Sequence, residues 1–136
     1  MPECITGIQG ITDPSFYRGK TMLKEILREF LLIDGVISVS LIARDGFLIE
    51  SLQNEPADAE ALAALGSCAM RYFSGIGTSM QMGHAREIVF EYRAGAIILT
   101  RVSDNELLAI ITDTKSTLGR LAYMLPKITI RVAAVI

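Results

Sequence analysis

REIVFEYRAGAIILTRVSDNELLAIIT, residues 86–112, reads as three short strands in succession. Arg86 to Tyr92, Gly95 to Val102 and Glu106 to Thr112 are rich in Ile, Leu, Val and aromatic residues, which fit a pleated, half-buried surface. Arg93-Ala94 and Ser103-Asp104-Asn105 separate them, spacers that leave room only for tight reversals, so the stretch predicts an antiparallel meander.

Upstream, the β-branched run Val36 to Ala43 (VISVSLIA) reverses at Arg44-Asp45-Gly46 into Phe47 to Ser51, which predicts a hairpin. From Lys20 to Leu32 the apolar residues Leu23, Ile26, Leu27, Phe30 and Leu31 recur at helical spacing, opposite Lys24, Glu25, Arg28 and Glu29. This first helix has a possible earlier start at Asp13-Pro14, an N-cap followed by proline, and it stops at Asp34-Gly35. A second helix is expected from about Pro56 towards Met80, with Asp58 and Glu60 suited to its first turn. Downstream, Asp113 or Thr114 can cap a third helix, whose apolar positions Leu118, Leu121, Ala122, Leu125, Ile128 and Val132 keep helical spacing across Pro126. Proline must kink or stop that helix, and the alternation of Ile128, Ile130 and Val132 equally suits an extended tail. The order α-β-β-α-β-β-β-α defines an α/β (α+β) domain, with one five-stranded, largely antiparallel sheet and three helices to cover it.

At 136 residues the chain has the length of one domain, and 51% hydrophobic against 21% charged residues supplies a full core and excludes disorder. The apolar surplus exceeds what a monomer readily hides. A net charge of −2, with 13 basic and 15 acidic residues interspersed, offers no footprint for nucleic acid. Cys4 and Cys68 make no disulfide framework and have no zinc-site spacing, so reduced thiols in a cytoplasmic protein are expected. MPECITGIQGITD lacks the basic start and apolar core of a signal peptide, and no run of ~18 apolar residues is present to insert in a membrane.

The most informative segment is the second helix. Between Ala61 and Gly83 there is one charged residue, Arg71, in 23 positions, too few for a helix with half its surface in water. Leu62, Leu65, Ala69, Phe73, Ile76 and Met80 form a stripe of large side chains, expected to pack on the sheet. Ala57, Ala61, Ala64, Cys68 and Gly75 line one remaining side; Ala59, Ala63, Gly66 and Gly77 line the other. Small residues let a second helix approach closely, and a two-fold self-interface is the commonest cover for such a face, so Ala57, Ala61, Ala64, Cys68 and Gly75 are candidate dimer contacts. Ala63, Gly66, Met70 and Arg71 are candidates for binding a further partner. The competing reading has the first and third helices bury the second within one domain.

Catalytic machinery is not visible. His84 follows Gly83 with no nucleophile or carboxylate in a recognisable motif, Cys68 sits among alanines, and Ser67 is not in a G-x-S-x-G elbow. Gly75-Ile76-Gly77-Thr78-Ser79 ends a helix where a phosphate loop opens one, and no Lys follows. The acids Glu50, Asp104 and Asp113 are not clustered for a metal. No cofactor, metal or enzymatic activity is therefore expected. Arg71, Arg86, Arg93 and Arg101 are surface charges that would serve as a finger only if a partner carried the phosphate site.

The segments LLIDGV (31–36), VSLIARDGFLIES, DAEALAAL, EIVFEYRAGAIILTRV and LLAIITD, with Leu118-Gly119 opening the last helix, resemble the roadblock family of dynein light chains and MglB-type prokaryotic proteins. The resemblance covers roughly Lys20 to Leu125, so 1–19 is read as an N-terminal extension and 20–136 as one roadblock/profilin-like domain. It implies a homodimer in which the strand Arg86 to Tyr92 pairs edge to edge with its copy, the second helices lying side by side. Glu87, Val89, Glu91 and Arg93 would then be dimer contacts. It also implies a regulator, such as an activating partner, or a scaffold of a small Ras-like P-loop GTPase. Alternatives are a structural adaptor in a motor or kinase signalling complex, or a small-molecule sensor, which would need a polar constellation where the core positions are aliphatic.

Overall fold

The computed structural model describes residues 14–113 and 118–136. Cys4, the Asp13 cap and the Thr114 cap fall outside the described residues. The element order is α1 (Pro14–Leu31), β1 (Val36–Ala43), β2 (Leu48–Gln53), α2 (Ala59–Ser79), β3 (Glu87–Tyr92), β4 (Gly95–Arg101), β5 (Glu106–Thr112) and α3 (Leu118–Val135). Helix α1 runs across the boundary drawn between residues 19 and 20.

The strands form one sheet in the order β2-β1-β5-β4-β3, with antiparallel neighbours throughout. The meander β3-β4-β5 builds one half, and β1 returns beside β5 with Val39 opposite Ile110, leaving β2 and β3 as the two edges. Gly46, at φ +98°, turns the β1–β2 hairpin in the left-handed region open to glycine. After β2, the Asn54 amide donates to the Leu31 and Val36 carbonyls at 2.9 and 3.0 Å and so ties the end of α1 to the start of β1.

Pleating divides the core in two. On one face Val39, Leu41, Ile98, Leu108 and Ile110 meet Leu23, Ile26, Leu27 and Phe30 of α1 and Leu121, Leu125, Ile128 and Val132 of α3. On the other, Ile42, Leu99, Leu107 and Ala109 meet Ala63 and Met70 of α2. Because α1 and α3 occupy the opposite face, they do not bury α2. The chain after Pro126 continues as helix, with Ile128 and Val132 inward and Ile130 71% exposed, so helical spacing prevails over the extended alternative. A Glu29–Arg131 ion pair at 2.7 Å links α1 to α3, and its hydrogen bond raises the Arg131 pKa above the ordinary value.

Candidate interaction surface

Helix α2 begins where the Asp58 carboxylate accepts the Ala61 amide at 3.0 Å, an N-cap that satisfies a donor the helix leaves open. Its buried residues are Ala59, Ala63, Gly66, Ser67, Met70 and Ser74, and this mostly small face is the one seated on the sheet. A Cβ on Gly66 would stand 3.3 Å from Leu99 Cδ2. The sheet supplies the bulk there, through Ile42, Leu99 and Leu107, so the helix above it has to be small.

This reverses the orientation expected from the sequence. Of the stripe expected on the sheet, Leu65 is 70% exposed, Phe73 39%, Ile76 45% and Met80 67%, so most of it faces outward, while Leu62 and Ala69 are half-buried against the core. Ala63, Gly66 and Met70, expected to bind a partner, are buried inside the protomer and present no surface to one. Arg71 alone of that set is exposed.

Two contacts orient the flanks. The Phe73 ring lies 6.2 Å from that of Phe90, so the flank carrying Leu62, Ala69, Phe73, Ile76 and Met80 looks towards β3. A Cβ on Gly46 would lie 3.1 Å from Ser67 Oγ and 3.6 Å from Ala64 Cα, so the opposite flank looks towards the β1–β2 turn. Of the residues expected at the dimer contact, Ala64 lies on this hairpin side, with Gly75 at a nearby helical angle, while Ala61 and Cys68 lie towards the crest and Ala57 precedes the helix. Ala61, Ala64, Cys68 and Gly75 are exposed, Ala57 partly so. They are not gathered at the β3 edge.

Among the described residues, strand β3 is paired on its β4 side alone. The Arg101 amide donates to the Arg86 carbonyl at 2.8 Å, so even-numbered residues bond inward and the peptide groups of Glu87 and Val89 turn to the outer edge. Glu87, Val89, Glu91 and Arg93 are all exposed, as expected of a strand open on one side. Sheet edge and apolar flank are thus adjacent. Size complementarity between α2 and the sheet was the signal that sequence reasoning missed; the large residues at 42, 97, 99 and 107 were in view, but their pairing with α2 was not. Among the described residues no group of His, Cys, Asp or Glu is arranged to hold a metal ion, and no helix is long and apolar enough to cross a membrane.

Among the described residues, an antiparallel five-stranded sheet with α1 and α3 on one face, α2 on the other, and an open β3 edge is the roadblock architecture. The family model for the Roadblock/LC7 domain matches residues 22–112, and the chain belongs to that family. Among solved structures it is similar to MglB of Myxococcus xanthus (TM-score 0.78, 18% identity, covering 85% of this chain and 87% of that one). It is similar also to the gliding protein MglB of Thermus thermophilus (TM-score 0.74, 18% identity, 90% of each chain). A Roadblock/LC7 domain from Streptomyces avermitilis gives a TM-score of 0.70 at 18% identity, covering 82% of this chain and 91% of that one. At these identities the likeness is one of fold. No curated protein matches the sequence.

Proposed function

We propose that the protein is a homodimer, built by antiparallel pairing of the two β3 edges, that regulates or scaffolds a small Ras-like GTPase in the cytoplasm and catalyses nothing itself. The observation that carries the dimer is the adjacency of an unpaired strand edge and a band of exposed Leu65, Phe73, Ile76 and Met80. An open strand edge is a template for pairing, and a contiguous apolar patch beside it marks an interface. Pairing at β3 brings α2 flank to α2 flank across the two-fold axis and covers both features with one operation. Glu87, Val89, Glu91 and Arg93 keep their place in this interface; the α2 contribution moves from the small stripe to the large one.

The GTPase rests on family membership and on a surface without a catalytic constellation, which suits docking. The paired α2 crests, with Ala61, Cys68 and Tyr72 outward, would form a platform made by both subunits, so only the dimer binds. Any effect on hydrolysis runs mainly through the GTPase's own switch loops, because Arg71, the exposed arginine on α2, has only a 3.4 Å contact to Cys68 Sγ and is not fixed as a finger. Mixing the protein with the Ras-like GTPase encoded nearest to it, loaded with a GTP analogue or GDP, should give binding that prefers one nucleotide state. Equal, negligible binding in both states removes the regulator reading and favours an adaptor; binding with unchanged phosphate release leaves a scaffold.

A further inference from the structure

The hairpin-side flank of α2 borders a cleft of about 570 Å³, within the ~300–1,000 Å³ typical of small-molecule sites. Its wall carries Arg44 from the β1–β2 turn, Arg71 from α2 and Arg101 from the end of β4, together with the carboxylates of Asp104 and Glu106. The three guanidinium groups come from three different elements.

Arg101 is fixed in place: its Nε donates to the Ala85 carbonyl and its Nη2 to Ser74 Oγ, both at 3.2 Å. Two of its five N–H donors are thereby used, which leaves three for a ligand. Arg71 is held only by a 3.4 Å contact from Nη2 to Cys68 Sγ. Neither Arg44, Arg71 nor Arg101 forms an ion pair with the acids sharing the cleft; the Arg131–Glu29 pair lies on the other face of the sheet. Glu106 instead accepts the hydroxyl of Ser103. The floor is apolar, formed by Met70 at 2% and Leu107 at 4% exposure.

Guanidinium forks match phosphate oxygens, and three arginines against the two acids Asp104 and Glu106 leave the cleft wall with a surplus of one positive charge, which an entering anion offsets. The volume exceeds what bare phosphate fills, and Asp104 offers an acceptor for a hydroxyl or amino group. We propose that this cleft binds a small phosphorylated molecule, its phosphate held by Arg44, Arg71 and Arg101 and its hydroxyl or amino groups by Asp104. The site lies on the flank of α2 away from β3 and does not depend on the GTPase reading. It supplies, at the surface, the polar constellation that the aliphatic core lacks.

The test is an NMR titration of the full-length protein with ribose 5-phosphate, with citrate as the carboxylate comparison. Saturable shifts grouped around Ser74, Ala85 and Arg101 are expected, with affinity falling about tenfold or more in Arg44→Gln or Arg71→Gln. Both arginines are exposed, and an unchanged amide spectrum elsewhere verifies the fold of each variant. No saturable response at millimolar ribose 5-phosphate overturns the proposal, as does binding that survives the Arg44→Gln, Arg71→Gln double variant. Tighter binding of citrate overturns the assignment to phosphate.

Discussion

Gly66 and Gly75 sit on one helix and answer differently to the same added atoms. At Gly66 a Cβ meets Leu99 Cδ2 at 3.3 Å, and a branched side chain has nowhere to go in a packed interior. Gly66→Val should therefore lower stability by ~1–3 kcal/mol. At Gly75 nothing lies within 4 Å of the added Cβ, and a glycine in a helix interior costs backbone entropy. Gly75→Ala should raise stability by ~0.5–1 kcal/mol. Denaturant unfolding of the two variants checks both signs; equal effects would mean that α2 is seated on a different face. Met70, 2% exposed beneath the helix, extends the comparison: Met70→Ala should cost ~2–5 kcal/mol, where loss of an exposed partner-binding side chain would cost little.

Strand boundaries were readable because local chemistry sets them. β1 and β5 fall at Val36–Ala43 and Glu106–Thr112, as Asp34-Gly35, Asp45-Gly46 and Ser103-Asp104-Asn105 punctuate them. The seating of α2 was not readable in the same way, because its large and small stripes are both apolar. Which stripe faces inward depends on Ile42, Leu99 and Leu107, residues remote in sequence, whose bulk is matched by Ala63 and Gly66, with Met70 as the one large α2 side chain buried among them. The cleft was invisible for a similar reason, since Arg44, Arg71 and Arg101 meet only once the sheet is assembled. In α3, helical spacing of Leu121, Leu125, Ile128 and Val132 outweighs one proline. Pro126 removes a donor to the preceding turn, so Pro126→Ala should raise stability by roughly 1–3 kcal/mol, measured by thermal unfolding; a loss would show that the kink itself aids packing. For β3, a two-fold axis at Val89 sets Glu87 against the partner's Glu91, like charges opposed, whereas an axis at Phe90 sets Glu87 against the partner's Arg93. In a background lacking native cysteines, Glu87→Cys protein mixed with Arg93→Cys protein should form a disulfide faster than when mixed with Glu91→Cys protein. The reverse order would place the axis at Val89.

Among the described residues, one face of the sheet is closed by α1 and α3 and the other is covered by α2, which leaves Leu65, Tyr72, Ile76 and Met80 exposed. A second copy meeting β3 with β3 removes the sheet edge and the apolar band together, and several hundred Å² of such burial supplies many kcal/mol at ~25 cal/mol per Å² before association costs. Position along α2 then decides which substitutions break the dimer. Ile76 lies on the flank towards β3, so Ile76→Arg should place an unpaired charge in the interface; Cys68 lies nearer the crest, so Cys68→Arg should be tolerated. Sedimentation velocity at micromolar concentration reads this directly. The parent protein and Cys68→Arg should sediment as dimers and Ile76→Arg as a folded monomer; a monomeric parent, or a dimer that Cys68→Arg splits and Ile76→Arg does not, would contradict it.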